Sequence, residues 1–576
     1  MRKASKKLTA AILMGLLAAA PFCANAETQT INTDDSTYNS GASQDFKGND
    51  VTITGGETAG NRISYNVSQD VTFGNAGTIT ATGKWMNNAF LADGEKPLTI
   101  SNIGSISLTD NATDSKEHKT FAFHGYNGTV NVTNVGNVTI KDVYTGLMAQ
   151  DGGNGHDGAV NFDLTKKNGD LDITAHIGII AADYSTKGQA ASVDVKANNV
   201  TITRLDEVLT EDPHAAATQY GNNFAVVSVS QTYGEKPAPD TAGKTSVAIT
   251  ANTIKIDADS EKDDFGAILA ANGKEPGAAS VTLQAGNIDI AGDIVADTNA
   301  SINIGAKEGT ENTYTAAIKG DITSTNSTVS IDLGQNGSLT GAISDNSVNS
   351  AVPLGGTDNG NTNTGVKLDM GKGSVWNVTG DKISTVSTIT GTGTIALNVN
   401  EDATVNGGVN VTDATGATLT VAAQQTADAI QSSEKALQNM AGATNGLEDG
   451  TVFKAVCSAC HILKCFFGGL DGICGLLSGY GECCTCCVSN VYTAVYRCIF
   501  VYIKSNGAGA GDGAYGADFV PGNIPDGSLA HIQLDAGVGI AVVSPSERNS
   551  RINRIITDSA GQASVLSEIN AYRGIC

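Results

Sequence analysis

Three segments in the middle of the chain share one pattern. Ser192-Val-Asp-Val-Lys-Ala-Asn-Asn-Val-Thr-Ile202, Ser246-Val-Ala-Ile-Thr-Ala-Asn-Thr-Ile-Lys-Ile256 and Ser280-Val-Thr-Leu-Gln-Ala-Gly-Asn-Ile-Asp-Ile290 all read S-V-x-φ-x-A-x-x-φ-x-I, with φ aliphatic. Apolar residues at every second place are the period of a strand with one buried face. Each copy is therefore two short strands around a tight corner. A third strand follows in Gly146-Leu-Met-Ala149, Gly178-Ile-Ile-Ala181 and Gly266-Ala-Ile-Leu269, and Phe224-Ala-Val-Val-Ser-Val229 reads the same way. Ile256 and Ile290 stand 34 residues apart, which fits three short strands and three corners.

A coil of that length cannot fold by itself. It points about four to six aliphatic side chains inward, at roughly 1.5–3 kcal/mol each. Ordering its backbone costs about 1–2 kcal/mol for each of roughly 30 residues. Stacked coils share both core and hydrogen bonds, so the repeat predicts an all-β solenoid. About a dozen coils at about 4.8 Å each would make a rod of roughly 60 Å.

Other stretches extend the pattern. Looser copies lie at Val51/Ile53, at Val71/Phe73, and at Val130/Val132 with Val138/Ile140. A second repeat couples Gly292-Asp-Ile294 to Gly320-Asp-Ile322 and aligns Ser301-Ile-Asn-Ile304 with Ser330-Ile-Asp-Leu333. Between Val366 and Leu419, alternation predicts Val366, Leu368, Met370, Val375, Ile395, Leu397 and Val399 on the buried face. Thr426 to Met440 reads as a weakly amphipathic helix with Ile430, Leu437 and Met440 near one face.

Composition narrows the function. The net charge is -24, and only Arg62 and Arg204 are arginines between Glu27 and Gly450. Such a surface cannot neutralise phosphates, which excludes nucleic acid as a partner. Arg2, Lys3, Lys6 and Lys7, an apolar run from Leu8 to Ala20, and Ala24-Asn25-Ala26 form a secretory signal peptide over 1–26, cut after Ala26. Two stretches interrupt the coils, Arg204 to Asn223 and Gln231 to Thr245. Insertions on one side of a solenoid serve as contact surfaces in some proteins and as tolerated loops in others.

Gly320-Asp-Ile322, Ser338-Leu-Thr-Gly-Ala-Ile343 and Ser374-Val-Trp-Asn-Val-Thr-Gly-Asp381 resemble the passenger region of autotransporters, in particular the pertactin-like passengers. The resemblance covers 27–425 and implies a right-handed parallel β-helix, a hand that also fits the rule for parallel crossovers. It implies a helical linker at 426–450 leading to an outer-membrane barrel, and a passenger displayed at the cell surface. After Gly450 the expected barrel pattern of alternating strands with aromatic girdles is not legible.

Instead, residues 451–576 change character. Cys457, Cys460, Cys465, Cys474, Cys483, Cys484, Cys486, Cys487 and Cys498 crowd together after a cysteine-free stretch from Glu27 to Gly450. A different domain, a fusion or a shifted reading frame would each produce so abrupt a break. Without a barrel, the expected destination is the periplasm. Cys457-Ser-Ala-Cys460-His461 matches the covalent haem c attachment pattern, two thiols for the vinyl groups and a histidine for the iron. Zinc and disulfides are further readings of the cluster. A segment without an evolved function is the preferred one.

No catalytic, cofactor-binding or metal-binding residues are assigned. Gly152-Gly-Asn-Gly-His-Asp157 matches one calcium-binding nonapeptide, but such sites need tandem copies. His118, His124, His156, His176 and His214 form no i,i+4 pair. Trp85 and Trp376 are candidate stacking platforms for sugar, with burial as the commoner role of tryptophan. The leading expectation is a non-enzymatic adhesin or structural rod contacting a ligand on host or neighbouring cells. A β-helix carbohydrate-active enzyme and a c-type haem protein are the alternatives.

Overall fold

The computed structural model describes residues 27–35, 38, 41–55, 62–84, 87–111, 120–151, 155–183, 189–205, 223–230, 243–258, 266–271, 276–347, 365–424, 433–447, 451–454, 465–466, 530–533 and 539–542. The chain divides into two compact units, Met1–Val491 and Tyr492–Cys576. The described part of the second is one antiparallel pairing of Ala530–Gln533 with Gly539–Val542.

The first unit is an all-β parallel solenoid. Each coil gives one strand to each of three sheets. In one coil these are Ala279–Ala285, Asn287–Ala291 and Asp293–Asp297. They pair in parallel with Ala300–Ala306, Thr315–Lys319 and Ile322–Thr325 of the next coil. We call these the first, second and third sheets, in chain order within a coil.

The S-V-x-φ-x-A repeat stacks in register. Val193, Val247 and Val281 form one inward column and Ile202, Ile256 and Ile290 another, all nearly inaccessible. The repeated alanine, Ala197, Ala251 and Ala285, is buried at the corner between first and second sheets. At the N-terminal end the inward positions carry phenylalanines instead. Phe46, Phe73, Phe90, Phe123 and Phe162 form a chain of ring contacts with centroids 4.8–5.5 Å apart, each at a favourable aromatic separation.

Corners are built by side chains that repeat with the coils. Asn75, Asn102 and Asn134 adopt left-handed conformations with φ of 55°, 58° and 53°. The Asn102 amide donates to Asn75 Oδ1 at 3.0 Å, and the Asn134 amide to Asn102 Oδ1 at 2.6 Å. Asparagine tolerates this conformation better than other side chains. Two residues later stand Gly77, Gly104 and Gly136, where coils approach so closely that a Cβ on Gly104 would lie 2.1 Å from the Gly77 carbonyl oxygen. This Asn-x-Gly signal is present in the sequence but escapes a search for aliphatic periodicity.

The Gly-Asp-Ile repeat has a similar cause. Gly320 has φ 151° and abuts the Gly292 carbonyl. The Asp293 carboxylate accepts the Asp321 N–H, and the Asp321 carboxylate accepts the Ala342 N–H, both at 2.7 Å. The alignment drawn next to it needs correction. Ser301 pairs with Thr328, Ile302 with Val329 and Ile304 with Ile331, two residues away from the Ser301/Ser330 match. A shift of two keeps every aliphatic residue on the same face, so alternation cannot detect it.

A second correction concerns Val375. Val366, Leu368, Met370, Ile395, Leu397 and Val399 are buried as expected, but Val375 points outward and is half-buried. Trp376 takes the inward place, between Leu339 and Ile395, flanked by Ser374 and Val378. An indole buries more apolar area than an isopropyl group and so sets the phase.

The helix, α1 (Ser433–Gly442), lies within the stack. Ala436 and Met440 are buried in the main core and Leu437 packs against it, while Ile430 lies outside the described residues. Asn439 Nδ2 donates to the Ala403 carbonyl at 2.7 Å. After it, Thr444–Asn445 and Val452–Lys454 rejoin the sheets, pairing in parallel with Gly408–Asp413 and Thr420–Ala423. The parallel ladder therefore continues past 425.

Candidate contact surface

Over four coils the third sheet is buried on both faces. Leu147, Ile179, Val226 and Ile268 point inward and are inaccessible. Their sequence neighbours Met148, Ile180, Val227 and Leu269 point outward, pair in register across four coils, and are at most 2% exposed. With Phe121, Tyr144 and Ile177 they form an apolar cluster separate from the main core. The corresponding outward row of the second sheet is Thr139, Asp172, Thr201, Lys255 and Asp289, all half-buried or exposed.

An aromatic row borders this cluster. His124 lies 5.1 Å from Phe121, Phe121 6.0 Å from Tyr144, and Tyr144 6.1 Å from His176, measured between ring centroids. Two histidines that look scattered in sequence thus share one surface. His124 Nδ1 is also 2.5 Å from Asn88 Oδ1. His156 stands apart, its Nε2 3.6 Å from Glu95 Oε1. His118 and His214 lie outside the described residues.

Both long insertions attach at the ends of the third-sheet strand Phe224–Val229. Before it, Arg204 is buried, with Nη1 donating to the Leu205 carbonyl at 2.8 Å. After it, the Gly243 N–H donates to Asp183 Oδ2 at 2.6 Å and Ser230 Oγ donates to the Gly243 carbonyl at 2.5 Å. Residues 206–222 and 231–242 lie outside the described residues.

A different kind of anchor closes the C-terminal part of the third sheet. Asp345 is 2% exposed. One carboxylate oxygen accepts the N–H and hydroxyl of Ser347, at 3.0 and 2.7 Å. The other accepts Val366 N–H at 2.6 Å, Ser387 N–H at 3.0 Å and Ser387 Oγ at 2.7 Å. This buried charge ties together strands of successive coils, which is the arrangement a desolvated carboxylate requires.

A polar groove of about 280 Å³ lies at the N-terminal end of the second sheet. Asn32, Thr54 and Thr82 line it in register, with Gly55 and Gly83 between them, and Asp34, Lys84 and Asn111 at its margins. No apolar side chain lines it.

The shifted titratable groups stand apart from both features. Burial raises Asp332 and, with a smaller contribution from Asp332, raises Tyr314. Hydrogen bonds from Thr404 lower Asp402, and those from Thr415 lower Asp413. The last two are turn carboxylates. Among the described residues no three His, Cys, Asp or Glu side chains converge as a metal site. Trp376 is buried, with its indole N–H donating to the Gly341 carbonyl at 3.0 Å, so it is no platform for sugar. Trp85, Cys457, Cys460, His461 and residues 152–154 lie outside the described residues, as do residues 1–26.

Comparison with protein families, with curated proteins and with solved structures finds no match.

Proposed function

We propose that the chain is an exported, autotransporter-like passenger that works as a non-enzymatic adhesin or rod at the cell surface. One observation carries this reading: the parallel ladder runs coil on coil from Thr28 to Lys454, pairing the strands of successive coils. A stack of this kind converts chain length into reach and lateral surface. The insertions at 204–223 and 231–245 support a contact role, because they attach at the two ends of one third-sheet strand. Beads coated with the purified full chain should adhere to epithelial or bacterial cells more than beads coated with an unrelated protein of similar charge. Equal adhesion on every cell type tried, or turnover of a polysaccharide at an enzymatic rate, would remove this reading.

A further inference from the structure

We propose that the groove at the N-terminal end of the second sheet binds a neutral, linear glycan lying along the axis of the stack. The proposal rests on the reading of the chain as a contact rod and gives that contact a ligand class.

The first support is spacing. Asn32, Thr54, Thr82 and Thr109 occupy one outward row in successive coils, paired in register. Neighbours in such a row stand about 4.8 Å apart, close to the length of one sugar ring in an extended chain. Asn111 extends the groove beside Thr109. A ligand with hydroxyls repeating along its length meets a partner at each coil.

The second support is unspent hydrogen-bonding capacity. Thr82 and Asn111 make no side-chain hydrogen bond among the described residues. Asn32 uses its carbonyl oxygen on the Asp34 N–H at 3.0 Å, which leaves its amide donors to the groove. Thr54 makes only a long contact of 3.4 Å to the Ile31 carbonyl. Lys84 forms no ion pair among the described residues. These groups are hydrated in the free protein. A glycan replaces that water with direct bonds, and a site built to bond hydroxyls discriminates against analogues that lack them.

The third support is shape and charge. Gly83 adds no side chain beside Thr82, while Thr33 Oγ1 fills the space that a Cβ on Gly55 would take, so the lining stays wholly polar. The volume of about 280 Å³ sits just below the range of roughly 300–1,000 Å³ common for small-molecule pockets. It therefore seats one or two rings, with the rest of the chain along the hydroxyl row. Lys84 is the one cationic side chain lining the groove among the described residues, whereas the whole protein carries -24. That field repels polyanions, which selects a neutral glycan over a sulfated or uronic one.

The test is calorimetric titration of the purified full chain with neutral linear hexasaccharides of glucose, mannose and galactose, and with a sulfated hexasaccharide. At least one neutral member should bind and the sulfated one should not. Thr54→Val with Thr82→Val keeps the strand shape and removes two hydroxyls, so binding should weaken roughly tenfold or more. Thr201→Val, on the same sheet far along the stack, should leave binding unchanged. Matching circular dichroism and melting midpoints would establish that the double variant is folded. Failure of all neutral members to bind, preference for the sulfated one, or undiminished binding by the folded double variant overturns the proposal. Cell adhesion separates the two claims. Adhesion that survives both the double variant and saturating hexasaccharide leaves the rod but removes the glycan as its contact. Glycan binding without adhesion leaves the groove and removes the adhesin.

Discussion

The second and third sheets are made by the same coils, yet they meet their surroundings differently. In the second sheet Ile202 and Ile256 face the core while Thr201 and Lys255 face out. In the third sheet Val226 and Ile268 face the core, and Val227 and Leu269 are just as buried on the other side. The difference is written in the chain as alternation in one case and an unbroken apolar run in the other. A solvated face tolerates threonine, lysine and aspartate. A face that must shed water takes only residues whose burial is favourable. The two sheets therefore divide the work of the stack. One offers a polar, regularly spaced surface, and the other, over four coils, carries a second buried apolar face.

The largest expected effect separates the sheets directly. Val227→Asp places a charge on the outward face of the third sheet and should cost at least about 3–5 kcal/mol, as much as the inward Val226→Asp. Thr201→Asp, outward on the second sheet, should stay within about 0.5 kcal/mol. Urea unfolding followed by circular dichroism reads all three, and a mild Val227→Asp would break the comparison.

Next in size is Asp345→Ala, which strands the N–H groups of Ser347, Val366 and Ser387 and leaves the hydroxyls of Ser347 and Ser387 only each other. A loss of at least about 3 kcal/mol is expected, seen as an earlier urea midpoint. Asp345→Asn, which keeps the shape and the acceptor on one side, should lose less.

Corner substitutions come third. Gly104→Ala drives a Cβ to 2.1 Å from the Gly77 carbonyl and should cost about 1–3 kcal/mol. Asn102→Ala breaks two ladder bonds and puts alanine at φ 58°, for a loss of about 1–2 kcal/mol. Asn102→Gly, which accepts that φ, should recover part of it. Equal melting midpoints for the alanine and glycine variants would contradict the conformational part of the argument.

The smallest effect is electrostatic. Burial raises the Asp332 carboxyl in the fold, so its charged form is disfavoured there. Its contribution to stability is fully present below the unfolded carboxylate range and is lost as pH rises through the folded value. Asp332→Asn keeps the acceptor for the Gly334 N–H, which now lies 2.7 Å from Asp332 Oδ1. The variant should melt slightly higher than the parent at neutral pH and match it in acid. A variant that melts lower at neutral pH would reverse the sign.

Much of this architecture was legible in the residues. The S-V-x-φ-x-A repeat placed two sheets, their register and their corner, and Phe224–Val229 took its predicted place as a coil strand. Alternation failed in two instructive ways. It cannot resolve a shift of two, which misaligned Ser301 with Ser330, and it gave way to the size of one side chain at Trp376. The outward cluster of the third sheet was missed because its signal is the absence of alternation in Gly146–Ala149 and Gly178–Ala181. The groove was illegible for another reason. Asn32, Thr54 and Thr82 are ordinary strand residues in sequence, and only stacking brings them into one row.

Methionine oxidation by hydroxyl radicals tests the two-sided third sheet without any substitution. Met148 points outward from that sheet and is 2% exposed, while Met370 points into the main core and is fully buried. Mass spectrometry after a brief pulse should find both slow, with Met148 becoming fast only in urea. Oxidation of Met148 in the folded protein at the rate of the unfolded chain, with Met370 still protected, would contradict burial of the outward face.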